Sequence, residues 1–192
     1  VLLLPGSRKQ EIVGLLPVML EAAEKIQQNL PHCQFLLPTA STISREMLQD
    51  IIKNYSVSVR LTDKSTYDLM NIAQAAIAAS GTVTLEAAIV GLPTVIIYKV
   101  AGLTYFLGKF LVKIPHISLP NIIAGRRVVP ELLQGQANAL NVAKETLDIL
   151  TNEQLRKQVE KDLLEVREKL GQAGAVQRVA EEIVHIVEEK RK

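Results

Sequence analysis

Apolar residues fall along this 192-residue chain in short runs, separated by stretches where they recur every third or fourth position. Val1 to Leu4 is a continuous apolar run halted by Pro5-Gly6, as expected of a buried parallel strand that ends at a turn. Ile12, Leu15, Leu16, Met19, Leu20, Ala23 and Ile26 then follow a helical period up to Leu30-Pro31, with Ser7 and Gln10 in capping-box positions. Cys33 to Leu37 predicts a second strand, Ser44 to Asn54 a helix, Val57 to Leu61 a third strand and Ser65 to Ile72 a short helix. Ala75 to Ala79 predicts a strand of small residues, and Thr82 to Val90 a helix ended by Gly91-Leu92-Pro93. Thr94 to Tyr98 reads as a β-branched strand, and a further short strand is expected near Ile117 to Leu119.

The last third is helical: Ala139 to Leu150, then a charged helix opened by Thr151 with Gln154 as a capping box and stopped at Gly171, then Ala175 to about Glu189. The final helix is amphipathic. Val176, Val179, Ala180, Ile183, Val184 and Val187 share one stripe, which must pack on this sheet or on something outside the chain. Strands alternating with helices define the fold class as α/β, a Rossmann-like parallel sheet of about six strands with a C-terminal helical tail. The expected boundaries are residues 1–135 for the Rossmann-like domain and 136–192 for the C-terminal helices.

Composition narrows the chemistry. Apolar residues make up 48% of the chain and the net charge is only +2, with no run of like charge long enough for a nucleic-acid arm. The lone Cys33 fits a reducing cytosol and supplies no disulfide framework, and His32, His116 and His185 are scattered rather than grouped as metal ligands. No signal peptide is visible at Val1-Leu2-Leu3-Leu4; a strand at residue 1 points to a longer protein with an N-terminal half.

Two loops carry the candidate chemistry, because each follows a strand and opens a helix on the same edge of the sheet. In Ser80-Gly81-Thr82 the free N–H groups and positive end of the next helix would face an anion such as a phosphate. Glu86 lies one turn after Thr82 on the same helical face, where its carboxylate could accept hydrogen bonds from the two hydroxyls of a ribose. In Gly6-Ser7-Arg8 the guanidinium could pair with two phosphate oxygens. The loop is neither a Walker A sequence nor a Gly-x-Gly-x-x-Gly, so ATP hydrolysis and hydride chemistry lose support.

Further along, Tyr105, Phe106 and Phe110 concentrate aromatics in a chain with few, beside Lys109 and Lys113. This stretch reads either as a helix docked on its own domain or as an amphipathic surface meeting anionic lipid; it is too short and too charged to span a bilayer. Asn121 and Arg126, in the polar loop Ser118 to Arg126, are candidates to face a ligand or to serve as a turn former and a surface cation. Neither a Ser-His-Asp arrangement nor a carboxylate pair stands out as a general base, and no Asp-x-Asp would bind a metal nucleotide.

Several of these motifs coincide with one family. Leu-Leu-Pro-Gly-Ser-Arg-x-x-Glu-Ile at Leu3 to Ile12, Ala-Ser-Gly-Thr-x-x-Leu-Glu at Ala79 to Glu86, and Tyr-Phe-Leu-Gly-Lys-x-Leu-Val-Lys followed by Ile-Ser-Leu-Pro-Asn-Ile-Ile-Ala-Gly-Arg at Tyr105 to Arg126 resemble the C-terminal half of the lipid-A-disaccharide synthase family. These are glycosyltransferases of the two-Rossmann (GT-B) type. A related GT-B enzyme (the peptidoglycan lipid intermediate transferase or a UDP-sugar epimerase) and a non-enzymatic nucleotide-binding module are the alternatives.

The resemblance implies inverting transfer of 2,3-diacylglucosamine from UDP to the 6-hydroxyl of 2,3-diacylglucosamine 1-phosphate, with no metal and no cofactor beyond the UDP-sugar donor. Gly6, Ser7, Arg8, Ser80, Gly81 and Thr82 would hold the diphosphate, Arg8 would stabilise the leaving UDP, Glu86 would bind ribose, and Asn121 with Arg126 would lie near the diphosphate or sugar. The family usually continues Gly-Arg-Glu, whereas here Arg127 stands in place of the glutamate. The lipid acceptor and general base would belong to the N-terminal half. The resemblance further implies cytoplasmic location, peripheral on the inner face of the bacterial inner membrane, with Tyr105, Phe106, Lys109, Phe110 and Lys113 as membrane contacts; a homo-oligomer is compatible with it.

Overall fold

The computed structural model describes residues 1–99, 115–171 and 174–189. Six strands form one wholly parallel sheet: β1 (Leu2–Leu4), β2 (Phe35–Pro38), β3 (Val59–Thr62), β4 (Ala76–Ala79), β5 (Thr94–Tyr98) and β6 (Glu131–Leu133), in the order β3-β2-β1-β4-β5-β6. In register, Leu4 pairs with Ala78 of β4, and Ile96 of β5 pairs with Glu131. Among the described residues the helices are α1 (Lys9–Asn29), α2 (Arg45–Ile52), α3 (Thr66–Ile72), α4 (Thr82–Val90), α5 (Leu119–Ala124), α6 (Ala139–Thr151), α7 (Glu153–Lys169) and α8 (Ala175–Glu189).

Alternation along the strands sorts the core into two layers. Leu3, Ile77, Val95 and Ile97 face one side, where Leu16, Met19 and Leu20 of α1 and Val142 and Ile149 of α6 pack over them. Leu2, Leu4, Ala76 and Ala78 face the other, against Leu69 and Met70 of α3 and Ala87 of α4. Alanine on β4 and on the inner face of α4 lets the helix lie close to the sheet. Outside α4 and beside Ile96, α7 buries Val159, Leu163 and Val166. Both α6 and α7 therefore complete the covering of the sheet. The final helix, α8, does not: Val179, Ile183, Val184 and Val187 are 59%, 57%, 55% and 47% exposed, so this part of the stripe does not pack on the sheet, while the side chain of Val176 lies outside the described residues.

The sixth strand differs from expectation. Ile117 to Leu119 is not a strand; Ser118 is extended and Pro120 lies in the first turn of α5, where its fixed φ and missing N–H suit a helix start. The strand comes after α5, at Glu131–Leu133, ushered in by Pro130, whose carbonyl accepts the Ile96 N–H at 2.8 Å. Two helix caps also shift by one residue. Arg8, not Ser7, is the N-cap of α1, with Glu11 supplying the acid, and Asn152, not Thr151, caps α7 through the Leu155 N–H. In both cases the residue beside the expected one has the extended backbone that a cap requires.

Candidate functional site

The strand order reverses direction between β1 and β4. One connection leads from β1 outward to β2 and β3, the other from β3 back across to β4, so the loops after β1 and β4 diverge and leave a crevice beyond the carboxyl ends of these strands. A cleft of about 470 Å³ occupies that place, lined by Gly6, Ser7 and Arg8 from one loop and Ser80, Gly81 and Thr82 from the other. Glu86 lines it one turn into α4. The structure thus brings seven of the nine expected ligand-binding residues together.

The two helix starts facing the cleft are unlike. That of α4 is open at its first two residues: Gly81 is extended (φ 170°), the Thr82 and Val83 N–H groups meet no acceptor among the described residues, and the Thr84 N–H meets the Gly81 carbonyl at 3.1 Å. Thr84 is buried and turns its hydroxyl inward, donating to the Gly81 carbonyl at 2.7 Å. The carboxylate of Glu86 has no hydrogen bond or ion pair to any described residue. At α1 the loop leading into the helix is bonded to the helix's own acid. Glu11 accepts the N–H of Ser7 at 3.0 Å and that of Arg8 at 3.2 Å, and its other oxygen meets the Arg8 guanidinium at 3.2 Å.

Sequence reasoning passed over three parts of this cleft. Glu11 was visible as an acid in the first turn of α1, the usual place for a carboxylate near free N–H groups. Lys64 and Thr66 also line the cleft, and Thr39 contributes a buried hydroxyl without a partner among the described residues. These come from β2–α2 and β3–α3 connections, whose proximity to the cleft follows from strand order and not from any local pattern.

Asn121 and Arg126 do not line the cleft. Asn121 is fully buried at the base of α5, where its carbonyl oxygen accepts the N–H groups of Val128 and Val129 at 2.7 and 3.0 Å. Its amide nitrogen donates to the Val129 carbonyl at 3.0 Å and to Glu131 at 2.8 Å. Glu131 in turn accepts the Ile117 and Ser118 N–H groups and the Ser118 hydroxyl. Arg126 bridges to Asp162 at 3.1 Å and Glu165 at 2.7 Å on α7. These bonds hold the guanidinium protonated well above its ordinary value and, chiefly through Arg126 for Asp162 and through Lys169 for Glu165, hold both carboxyls below theirs. Arg127 pairs with Glu145 of α6 at 3.3 Å. Tyr105, Phe106, Lys109, Phe110 and Lys113 lie outside the described residues.

Among the described residues no three His, Cys, Asp or Glu side chains gather as a metal site, and no helix is long and apolar enough to cross a membrane.

The sheet order, with a cleft between the loops after β1 and β4, is that of one half of a GT-B protein. The chain superposes on a putative UDP-N-acetylglucosamine 2-epimerase from Listeria monocytogenes (TM-score 0.56, 17% identity, 83% of this chain and 38% of that one). It also superposes on a calicheamicin glycosyltransferase (TM-score 0.52, 14% identity, 96% and 40%). At these identities the likeness is one of fold. Sequence carries it further: residues 1–187 match the family model described as lipid-A-disaccharide synthetase, and 181 residues are 47% identical to the lipid-A-disaccharide synthase of Syntrophus aciditrophicus, covering 94% of this chain and 47% of the relative. The chain belongs to the lipid-A-disaccharide synthase family. It spans about half the length of the curated relatives it matches.

Proposed function

We propose that this chain is the UDP-sugar-binding half of an inverting glycosyltransferase that forms the β-1,6 lipid A disaccharide. The supporting observation is the cleft at the sheet's switch point, where an open helix start, a guanidinium and a carboxylate without a partner among the described residues converge. In the proposed reaction the 6-hydroxyl oxygen of 2,3-diacylglucosamine 1-phosphate attacks the anomeric carbon of the UDP-linked sugar, the bond from that carbon to the diphosphate oxygen breaks, and UDP departs with the electron pair. The hydroxyl proton goes to a general base that we assign, with the lipid acceptor site, to the other half of the enzyme.

Within this chain the work is electrostatic. Negative charge grows on the diphosphate as the bond breaks, so the positive end of α4 and the Arg8 guanidinium favour the transition state over the bound donor. Glu86 lies one turn from that helix start, within reach of the ribose joined to the diphosphate. This assignment needs no cofactor besides the donor, and it places the protein at the inner membrane surface where diacylated sugars reside.

Titration of the chain with UDP by calorimetry tests the reading. Arg8→Ala and Glu86→Ala should each weaken binding by roughly tenfold, the effect of one lost charge-assisted or bidentate hydrogen bond. Affinity unchanged in both variants would remove the assignment.

A further inference from the structure

Glu11 sits in the cleft wall, yet its carboxylate faces the loop as much as the opening. Gly6 has φ +108°, and a Cβ added there would stand 2.2 Å from Glu11 Oε2 and 2.9 Å from its Cβ, so the glycine makes the hollow that the carboxylate fills. The loop is held from the other side as well, by the Thr42 hydroxyl donating to the Ser7 carbonyl at 2.6 Å. Arg8 itself is exposed, its side chain at 83% of full accessibility, and the one hydrogen-bonded partner of that side chain among the described residues is Glu11. A long guanidinium side chain that free in solvent samples many rotamers unless something restrains it, and each restrained rotamer-rich side chain costs entropy on binding.

We propose that Glu11 is the positioning residue of the nucleotide cleft: it locks the Gly6–Arg8 loop through the Ser7 and Arg8 N–H groups and aims the Arg8 guanidinium. This rests on the nucleotide-binding reading above. The two helix starts then have different duties. That of α1 carries a resident carboxylate and presents a side-chain cation; that of α4 keeps the Thr82 and Val83 N–H groups without an acceptor among the described residues and receives the ligand's charge.

A double-mutant cycle with UDP as the probe, run by calorimetry on the chain and its Arg8→Ala, Glu11→Ala and combined variants, reads this directly. Glu11→Ala should weaken UDP by roughly tenfold, like Arg8→Ala, and the double variant should be no more than about twofold weaker than Arg8→Ala alone, because Glu11 acts through Arg8. Glu11→Gln, which keeps an oxygen for the loop N–H groups, should recover part of the loss; melting curves of each variant separate this from unfolding. Tighter UDP binding by Glu11→Ala would show that the carboxylate competes with the ligand, and losses that simply add would show that it acts independently of Arg8; either overturns the proposal. Wild-type chain that binds no UDP overturns the nucleotide reading and the proposal with it, whereas wild-type binding with an indifferent Glu11→Ala overturns the proposal alone.

Discussion

Asn121 spends its whole amide on the fold. Its carbonyl oxygen takes two backbone N–H groups and its nitrogen supplies a backbone carbonyl and the Glu131 carboxylate, with Asn121 itself at zero exposure. Removing it leaves the Val128 and Val129 N–H groups and the Val129 carbonyl, on buried residues, without these partners, and the cost of such groups exceeds the net worth of the bonds when made. Asn121→Ala should therefore destabilise the chain by about 2 to 4 kcal/mol in urea unfolding. UDP affinity at temperatures where the variant is still folded should stay near wild type. A variant that melts like wild type but binds UDP poorly would instead make Asn121 a ligand contact.

The elements carrying the cleft were those most legible in the chain. The step from Ala75–Ala79 to Thr82 and Gly91 contains a strand of small residues, a glycine at the turn and a left-handed glycine (φ 84°) at the helix end, and the helix falls at Thr82–Val90 as these signals predict. The region around α5 was not legible, because β6 has only three residues, follows a proline, and is held by a buried polar network that no local period encodes. Arg126 was read by residue type, and type does not reveal that α7 presents two carboxylates to it. This tie between the end of α5 and α7 has a pH signature. Asp162 has its folded pKa depressed, mainly by the hydrogen bond from Arg126, so its stabilisation is present above the unfolded aspartate value and is lost as pH falls through the lower folded value. Asp162→Asn should melt below wild type at pH 7, and the difference should close only as pH drops below about 4. A gap that persists unchanged to pH 2 would trace the effect to packing instead of charge.

At the scale of the whole molecule, the proposed diacylated substrate raises the question of how a domain with no membrane-crossing helix among its described residues would reach it. Its net charge of +2 is too small to draw it to an anionic surface by itself. The sequence concentrates Tyr105, Phe106 and Phe110 with Lys109 and Lys113 within nine residues, immediately after β5, which adjoins the β4 strand that carries the cleft. Aromatic side chains at a lipid interface gain from burying ring area, and each lysine near an anionic surface adds about 1 kcal/mol, so the two kinds of residue reinforce each other only where both reach the headgroups. Sedimentation with vesicles containing phosphatidylglycerol should retain the chain at low salt and release part of it at high salt. The Phe106→Asp/Phe110→Asp variant should release it at both, because it removes the apolar term and adds charge of the repelled sign. Equal retention of variant and wild type would mean that the aromatics pack against their own domain and that any contact with membrane is made elsewhere.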